Sequence, residues 1–381
     1  MTKKPRFEMF PEGYSAGKLG SQVPNTSVGD FDVVRNSIGT RVNKDGLIEV
    51  MDANVPRLDY SDGGCPKLLN ESASTNYVLY SEDFASWSGA TKSYGGLTPI
   101  GSSYFDVNFS GANQTFSSTA SGVNGVCSWR TYVKGSKGET MYIGVNGGTN
   151  LVLLHTFSGE WDTIEVTNAS ISNSTKFNFN TYSPSTARSF QVSYAQLEPL
   201  PIQTSYIKTL TTPISRGIDI MINGGSQSSF NSNSGVFFVD FKGLYTGSIT
   251  LNGGSTANRI WISYSVTSIR VVFSVNNSYI ADFEIFDWNM ELQNKIAFSW
   301  KENKFVFNIN GVDVASQNSG ITFPQGTLIN CDLHNGGGAG NFPSKIKSIQ
   351  VYDYLSDAEM EALTGYDSYS DMTSQFNFNV L

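Results

Sequence analysis

The stretch Lys304-Phe-Val-Phe-Asn-Ile-Asn310-Gly311-Val-Asp-Val-Ala315 decides the fold class of the second half of the chain. Phe305, Phe307 and Ile309 recur at every second position, so an extended backbone sets them on one face. Asn310-Gly311 tolerates the positive φ angles of a tight hairpin turn, and Val312 and Val314 carry the returning strand. The segment therefore reads as an antiparallel hairpin with an apolar face.

Working outward, the same pattern repeats. Gly235-Val-Phe-Phe-Val-Asp-Phe opens a series of expected strands over residues 248–251, 259–265, 268–275, 295–300, 304–309, 312–315 and 346–352. After them comes Ser356-Asp-Ala-Glu359, a capping box that predicts one short helix with Met360 and Leu363 inward and Gly365 at its end. Earlier in the chain, strands are expected over residues 77–80, 103–109, 126–134, 141–145, 163–167, 176–181 and 189–197, with Asn124-Gly125 and Asn146-Gly147 as turns. Pro199 and Pro201 close the last of these.

Composition agrees. The 381 residues include 37 glycines, 13% aromatic and only 15% charged residues, leaving little material for exposed helix faces. The expected fold class is all-β: two antiparallel β-sandwiches of jelly-roll type, an extended N-terminal attachment segment and one short C-terminal helix. The expected boundaries are 1–75 for the N-terminal segment, 76–219 and 235–365 for the sandwiches, 220–234 for a Ser/Asn-rich linker and 366–381 for a tail. Its alternating end, Phe376-Asn-Phe-Asn-Val-Leu381, could add a strand to a neighbouring subunit.

A formal net charge of −8 argues against a nucleic-acid groove, which draws affinity from clustered Lys and Arg. No run reaches the roughly 20 apolar residues of a membrane-crossing helix. Residues 1–20 lack a signal-peptide core, so work outside a cell would need another route of exit, which release by lysis as part of a virion would satisfy. Cys65, Cys127 and Cys331 are too far apart for a disulfide framework or a zinc site and read as reduced thiols.

The segment Arg35-Asn-Ser-Ile-Gly-Thr-Arg41, with Asp45-Gly46, Asn54-Val-Pro-Arg57, Asp59-Tyr60 and Ser74 to Trp87, resembles bacteriophage tail-fibre and virion-surface proteins. Ala195-Gln-Leu-Glu198, Thr204-Ser-Tyr-Ile207 and Arg216 resemble the point where carbohydrate-binding-module-like sandwiches of that family close. Residues 235–365, ending Tyr354-Leu-Ser-Asp-Ala-Glu359, resemble concanavalin-A-like and laminin-G-like jelly rolls. The resemblance implies a virion location, other virion proteins and a host-surface glycan as partners, and a homo-oligomer. Phe7, Phe10, Tyr14, Phe31, Arg41, Arg57 and Tyr60 would then face the particle. The alternatives are a connector or capsid decoration subunit that binds no sugar, and a capsule depolymerase.

Catalytic patterns are weak. The Glu-X-Asp-X-X-Glu triplet of jelly-roll glucanases, whose first two carboxylates would share a strand face, is absent. Among the nearest acidic group, Glu284, Asp287 and Glu291, the odd spacing of the first two would put them on opposite strand faces. His155 and His334 are the sole histidines, one per sandwich, so a Ser-His-Asp set would rest on a single imidazole. Glycine runs such as Gly147-Gly148 and Gly336-Gly-Gly lack the Lys-Ser/Thr of a phosphate loop. The reading is non-enzymatic, without a cofactor; calcium is compatible with both jelly-roll types, but no spaced Asp-X-Asp-X-Asp loop assigns it.

Sugar recognition needs flat aromatic rings and polar side chains that read hydroxyls. Trp129 and Trp300 fall within apolar strands and read as core. Trp87, Trp161 and Trp288 lie in polar surroundings and, with Asp332, His334 and Asn335, are the candidate glycan contacts.

Overall fold

A computed structural model describes residues 4–366. It is all-β, with one α-helix, Asp357–Gly365, among the described residues. The chain forms two compact units: the described parts of Met1–Ser37, Met51–Ser72 and Ile218–Leu381 make the larger, and Ile38–Val50 with Ala73–Gly217 the smaller.

In the larger unit, Gly235–Gly243 lies at the centre of a sheet. It pairs with Gln293–Lys301 on one side and with Ser344–Tyr352 on the other. The hairpin of Lys304–Ile309 and Val312–Gln317 continues the sheet as expected, with Ile309 opposite Val312. A five-stranded sheet, Ser278–Phe286, Ser268–Val275, Arg259–Tyr264, Gly247–Asn252 and Asn330–Asp332 in spatial order, supplies the other half of the core. Phe273 from this sheet meets Phe305 of the first at 5.0 Å and Phe323 at 4.3 Å between ring centroids. The helix covers the far side of the large sheet, with Met360 and Leu363 against Val236, Phe238 and Val306. Its capping box forms: Ser356 Oγ accepts from Glu359 N, while Glu359 accepts from Ser356 N.

The N-terminal segment departs from expectation. Pro5–Met9 pairs with Ser344–Tyr352, and Lys67–Asn70 pairs with the same strand, so residues expected as a separate clasp complete the large sheet. Strand alternation sends Phe7 and Met9 inward, where Phe7 meets Phe31 and Phe230 at 5.9 and 5.7 Å. Of the residues expected to face another protein, Phe7, Phe31 and Arg57 are therefore part of this chain's own interior. Arg57 donates to Glu71 at 2.7 Å and to Asp219, whose other oxygen accepts from Arg35 at 3.0 Å. Arg41 pairs with Glu49 at 2.8 Å, Phe10 and Tyr60 are half-buried, and Tyr14 is exposed. The expected linker is also structured: Ile220–Ile222 pairs with Phe31–Val34, and Phe230 is buried.

The smaller unit is a sandwich of a five-stranded sheet, Thr91–Leu97, Ser103–Asn108, Ser189–Glu198, Gly125–Gly135 and Asp162–Ile171 in spatial order, and a four-stranded one. The latter runs Thr115–Thr119, Lys176–Asn180, Thr140–Asn146, Leu151–Thr156. Trp87, Phe116, Phe177, Phe179 and Phe190 fill the space between them. Residues 77–80 are not a strand. Asn76, the last residue of strand Ser74–Asn76, turns the chain by accepting from Val78 N and Leu197 N, and Tyr80 adopts φ 52°. All three cysteines are free thiols, Cys65 exposed and the others buried. The expected tail strand, Phe376–Leu381, lies outside the described residues.

Candidate functional site

In the smaller unit, Phe105, Val107, Val133, Phe190 and Val192 point into the core, so their neighbours along each strand face solvent. Register then aligns Asp106, Gln191 and Lys134 in one row across three adjacent strands. Gln191 Nε2 donates to Asp106 Oδ1 at 2.9 Å, and Lys134 Nζ reaches Glu160 at 3.4 Å. This row, with Asn108, Ser136, Lys137 and Ser189, lines a cleft of about 590 Å³. Small-molecule sites commonly enclose a few hundred to a thousand cubic ångströms.

The next row along the same strands is aromatic. Tyr104 lies two residues before Asp106, and its ring meets Trp161 edge-on at 5.4 Å. Trp161 stacks on Tyr132 at 4.9 Å and 23°, Tyr132 on Tyr194 at 6.0 Å, and Tyr194 meets Tyr206 at 4.9 Å. Tyr206 closes the series inside the protein, where its hydroxyl bonds Ser81 Oγ at 2.6 Å. Burial pushes the Tyr132 phenol above its usual range, with Tyr194 and Asp162 adding to the effect, so it remains a neutral ring support for Trp161. The Tyr104 ring and the Asp106 carboxylate lie against Gly95 of the adjoining edge strand: a Cβ there would come within 2.1 Å of the Tyr104 ring and 2.8 Å of Asp106 Oδ2. A bare backbone at this point leaves both side chains in place.

The six residues singled out from sequence do not assemble into one site. Trp87 is 1% exposed, wedged between Phe84 and Phe116, and its Nε1 donates to Tyr80 O. It is a core residue, because the polar loop around it is folded under by the second sheet. Trp288, 9% exposed, packs on Phe241 and Tyr264, donates to Ser265 O, and borders a cleft of about 420 Å³ shared with Asp287 and Glu291. Glu284 is on the strand before that loop and accepts from Ser268.

Asp332, His334 and Asn335 do lie together, in the larger unit, but they build their own loop. Asp332 accepts from Asn252 Nδ2 and Asn223 N, both at 2.7 Å; His334 Nδ1 accepts from Gly336 N; Asn335 Oδ1 accepts from Gly337 N. His155 pairs with Asp162 at 3.1 Å, and Asp162 also accepts from Ser158 N at 3.0 Å. Among the described residues no group of three His, Cys, Asp or Glu side chains is placed to hold a metal ion. Of the sequence candidates, Trp161 alone lies near the cleft: it does not line it, but it is two residues from the lining Gly159 and meets Tyr104 in the neighbouring row. Tyr104, Asp106, Lys134 and Gln191 were not anticipated, although the alternation Tyr104-Phe105-Asp106-Val107 already assigns the first and third to the solvent face.

No family model matches the chain, and no curated protein matches it in sequence. Among solved structures, the CBM40 of Ruminococcus gnavus IT-sialidase, bound to α2,3-sialyllactose, aligns with 35% of this chain and 83% of its own at 18% identity and a TM-score of 0.30. Domain 4 of AbnA, a GH43 extracellular arabinanase from Geobacillus stearothermophilus, in complex with arabinotriose, aligns with 42% of this chain and 81% of its own at 14% identity and a TM-score of 0.29. Domains LG4-5 of the mouse laminin α1 chain align with 76% of this chain and 91% of their own at 7% identity and a TM-score of 0.25. Similarity this low assigns neither a family nor a ligand.

Proposed function

We propose that this chain is a glycan-binding protein whose saccharide lies in the cleft of the smaller unit. The observation that carries the reading is the juxtaposition of two rows on one sheet face: Asp106, Gln191 and Lys134, which line the cleft, beside the half-buried Tyr104 and Trp161, with Trp161 backed by the buried Tyr132. A pyranose ring offers an apolar C–H face and a rim of hydroxyls. An aromatic ring fixed from below by a second stacked ring suits the first, and an acceptor, an amide and an ammonium in register suit the second. The polar row supplies hydrogen-bond donors and acceptors in register, which supports a reading of recognition.

The placement of the protein on a tailed phage particle rests on the resemblance of residues 35–87 and 195–216. In that setting one weak cleft per chain would be multiplied by copy number, since linked sites raise effective concentration. Screening the full chain against an array of microbial and host-surface glycans tests the reading. Binding abolished by Trp161→Ala supports it; a folded chain that retains nothing on the array favours a connector subunit.

A further inference from the structure

The larger unit has its own solvent-facing sheet surface, formed by the outward residues of its five-stranded sheet. Ile260, Ile262 and Tyr264 point into the core, which turns Arg259 and Trp261 outward. Register sets Trp261 in a row with Thr250 and Asp332, and Arg259 beside Asn252. The Arg259 guanidinium lies 4.6 Å from the centre of the Trp261 ring and donates to the backbone carbonyl of Asn335. Asn335 Oδ1 in turn holds the following turn by accepting from Gly337 N and Ala339 N.

Arg259 is only 8% exposed, yet among the described residues it has no carboxylate partner. The acidic groups of this face are committed elsewhere: Asp332 to Asn252 and Asn223, Asp282 to Arg270, Glu284 to Ser268. Two buried donors behind this face have no hydrogen-bond acceptor among the described residues, Arg259 Nε and Trp261 Nε1. A buried charge without a counter-charge is strongly unfavourable, and a buried N–H without an acceptor marks a place where a further group belongs. Burial also pulls the guanidinium down from its ordinary proton affinity, against a smaller opposing effect of the nearby Tyr279 hydroxyl.

We propose that Arg259, Trp261 and the Asn335–Ala339 turn form a second binding site, which takes the carboxylate of an acidic saccharide. The arginine fork matches a planar carboxylate with two parallel hydrogen bonds, one of them from Nε. A single guanidinium, with Arg270 already neutralised by Asp282, balances one negative charge, which fits a carboxylate better than a doubly charged phosphate. The adjoining indole gives a sugar ring an apolar surface and an N–H to a hydroxyl.

The test uses the full chain with 15N-labelled tryptophan, so that each of the six indoles gives one signal and Trp261→Phe identifies its own. Titration with oligogalacturonate should shift the Trp261 signal, whereas the fully methyl-esterified oligomer and acetate should bind at least tenfold more weakly. Arg259→Gln should weaken oligogalacturonate at least tenfold with the other five signals in place. Arg259→Lys, which keeps the charge and loses Nε, should fall between and serves if the glutamine variant does not fold. Trp161→Ala should leave this titration unchanged, separating it from the cleft of the smaller unit. An unmoved Trp261 signal, an Arg259 variant of native affinity, or equal binding of the ester would overturn the proposal, and acetate binding as tightly would remove the saccharide from it.

Discussion

Replacing Glu8 by Gln should remove a pH dependence that the fold builds into the larger unit. Glu8 is fully buried on the strand Pro5–Met9; Oε1 accepts from Gln350 at 2.7 Å, Gln350 accepts from the Tyr352 hydroxyl, and Oε2 has no partner among the described residues. Burial raises the Glu8 carboxyl from 4.5 to about 7, against the lowering effect of Gln350, and nearby Glu12 adds to the rise. The folded state thus holds the proton more tightly than the unfolded chain. Its contribution is complete below pH 4.5 and is lost as the pH climbs through 7. At 1.36 kcal/mol per unit, the full loss is about 3.4 kcal/mol, of which about 2.5 kcal/mol falls between pH 5 and pH 8. Urea denaturation of the wild type and of Glu8→Gln at these two pH values reads the difference directly. The wild type should lose about 2.5 kcal/mol more than the variant on going to pH 8. Parallel pH profiles for the two proteins, or a wild type that gains stability relative to the variant as pH rises, would refute the assignment of a buried neutral carboxyl.

Other consequences are simpler to read. Asp219→Ala strips two buried guanidinium groups, Arg35 and Arg57, of a shared acceptor; urea melts should show a loss of about 3–5 kcal/mol in the larger unit. Phe273→Ala empties the contact between its two sheets and should cost about 3–5 kcal/mol by the same assay. Ser356→Ala removes the helix cap and should cost about 1 kcal/mol, seen as faster amide exchange over residues 357–365.

Local chemistry was legible in the sequence wherever a residue's role depends on its near neighbours. The Asn310-Gly311 hairpin and the Ser356–Glu359 cap formed as read, and Trp129 and Trp300, which alternate with Cys127 and Phe298 on the inward face of their strands, are buried. The edge strand Thr91–Leu97 escaped notice because its sequence is largely polar and glycine-rich. The N-terminal segment was misjudged for a different reason. Its partner, Ser344–Tyr352, is more than 300 residues away, and alternation reveals that Phe7 and Met9 share a face without revealing which sheet supplies the core. The same limit explains Trp87, whose polar neighbours in sequence give no hint of Phe116 and Phe179 above it. Trp261 shows the converse: Ile260, Ile262 and Tyr264 around it already mark it as outward-facing.

The central claim, that the aromatic and polar rows of the smaller unit form a glycan site, is tested most directly by calorimetry. The strongest glycan from the array would be titrated into the wild type, Trp161→Ala and Gln191→Ala. Each substitution should weaken binding at least tenfold, a loss of about 1.4 kcal/mol or more, while the urea midpoints of the larger unit stay at the wild-type value. Native affinity in both variants would contradict the account.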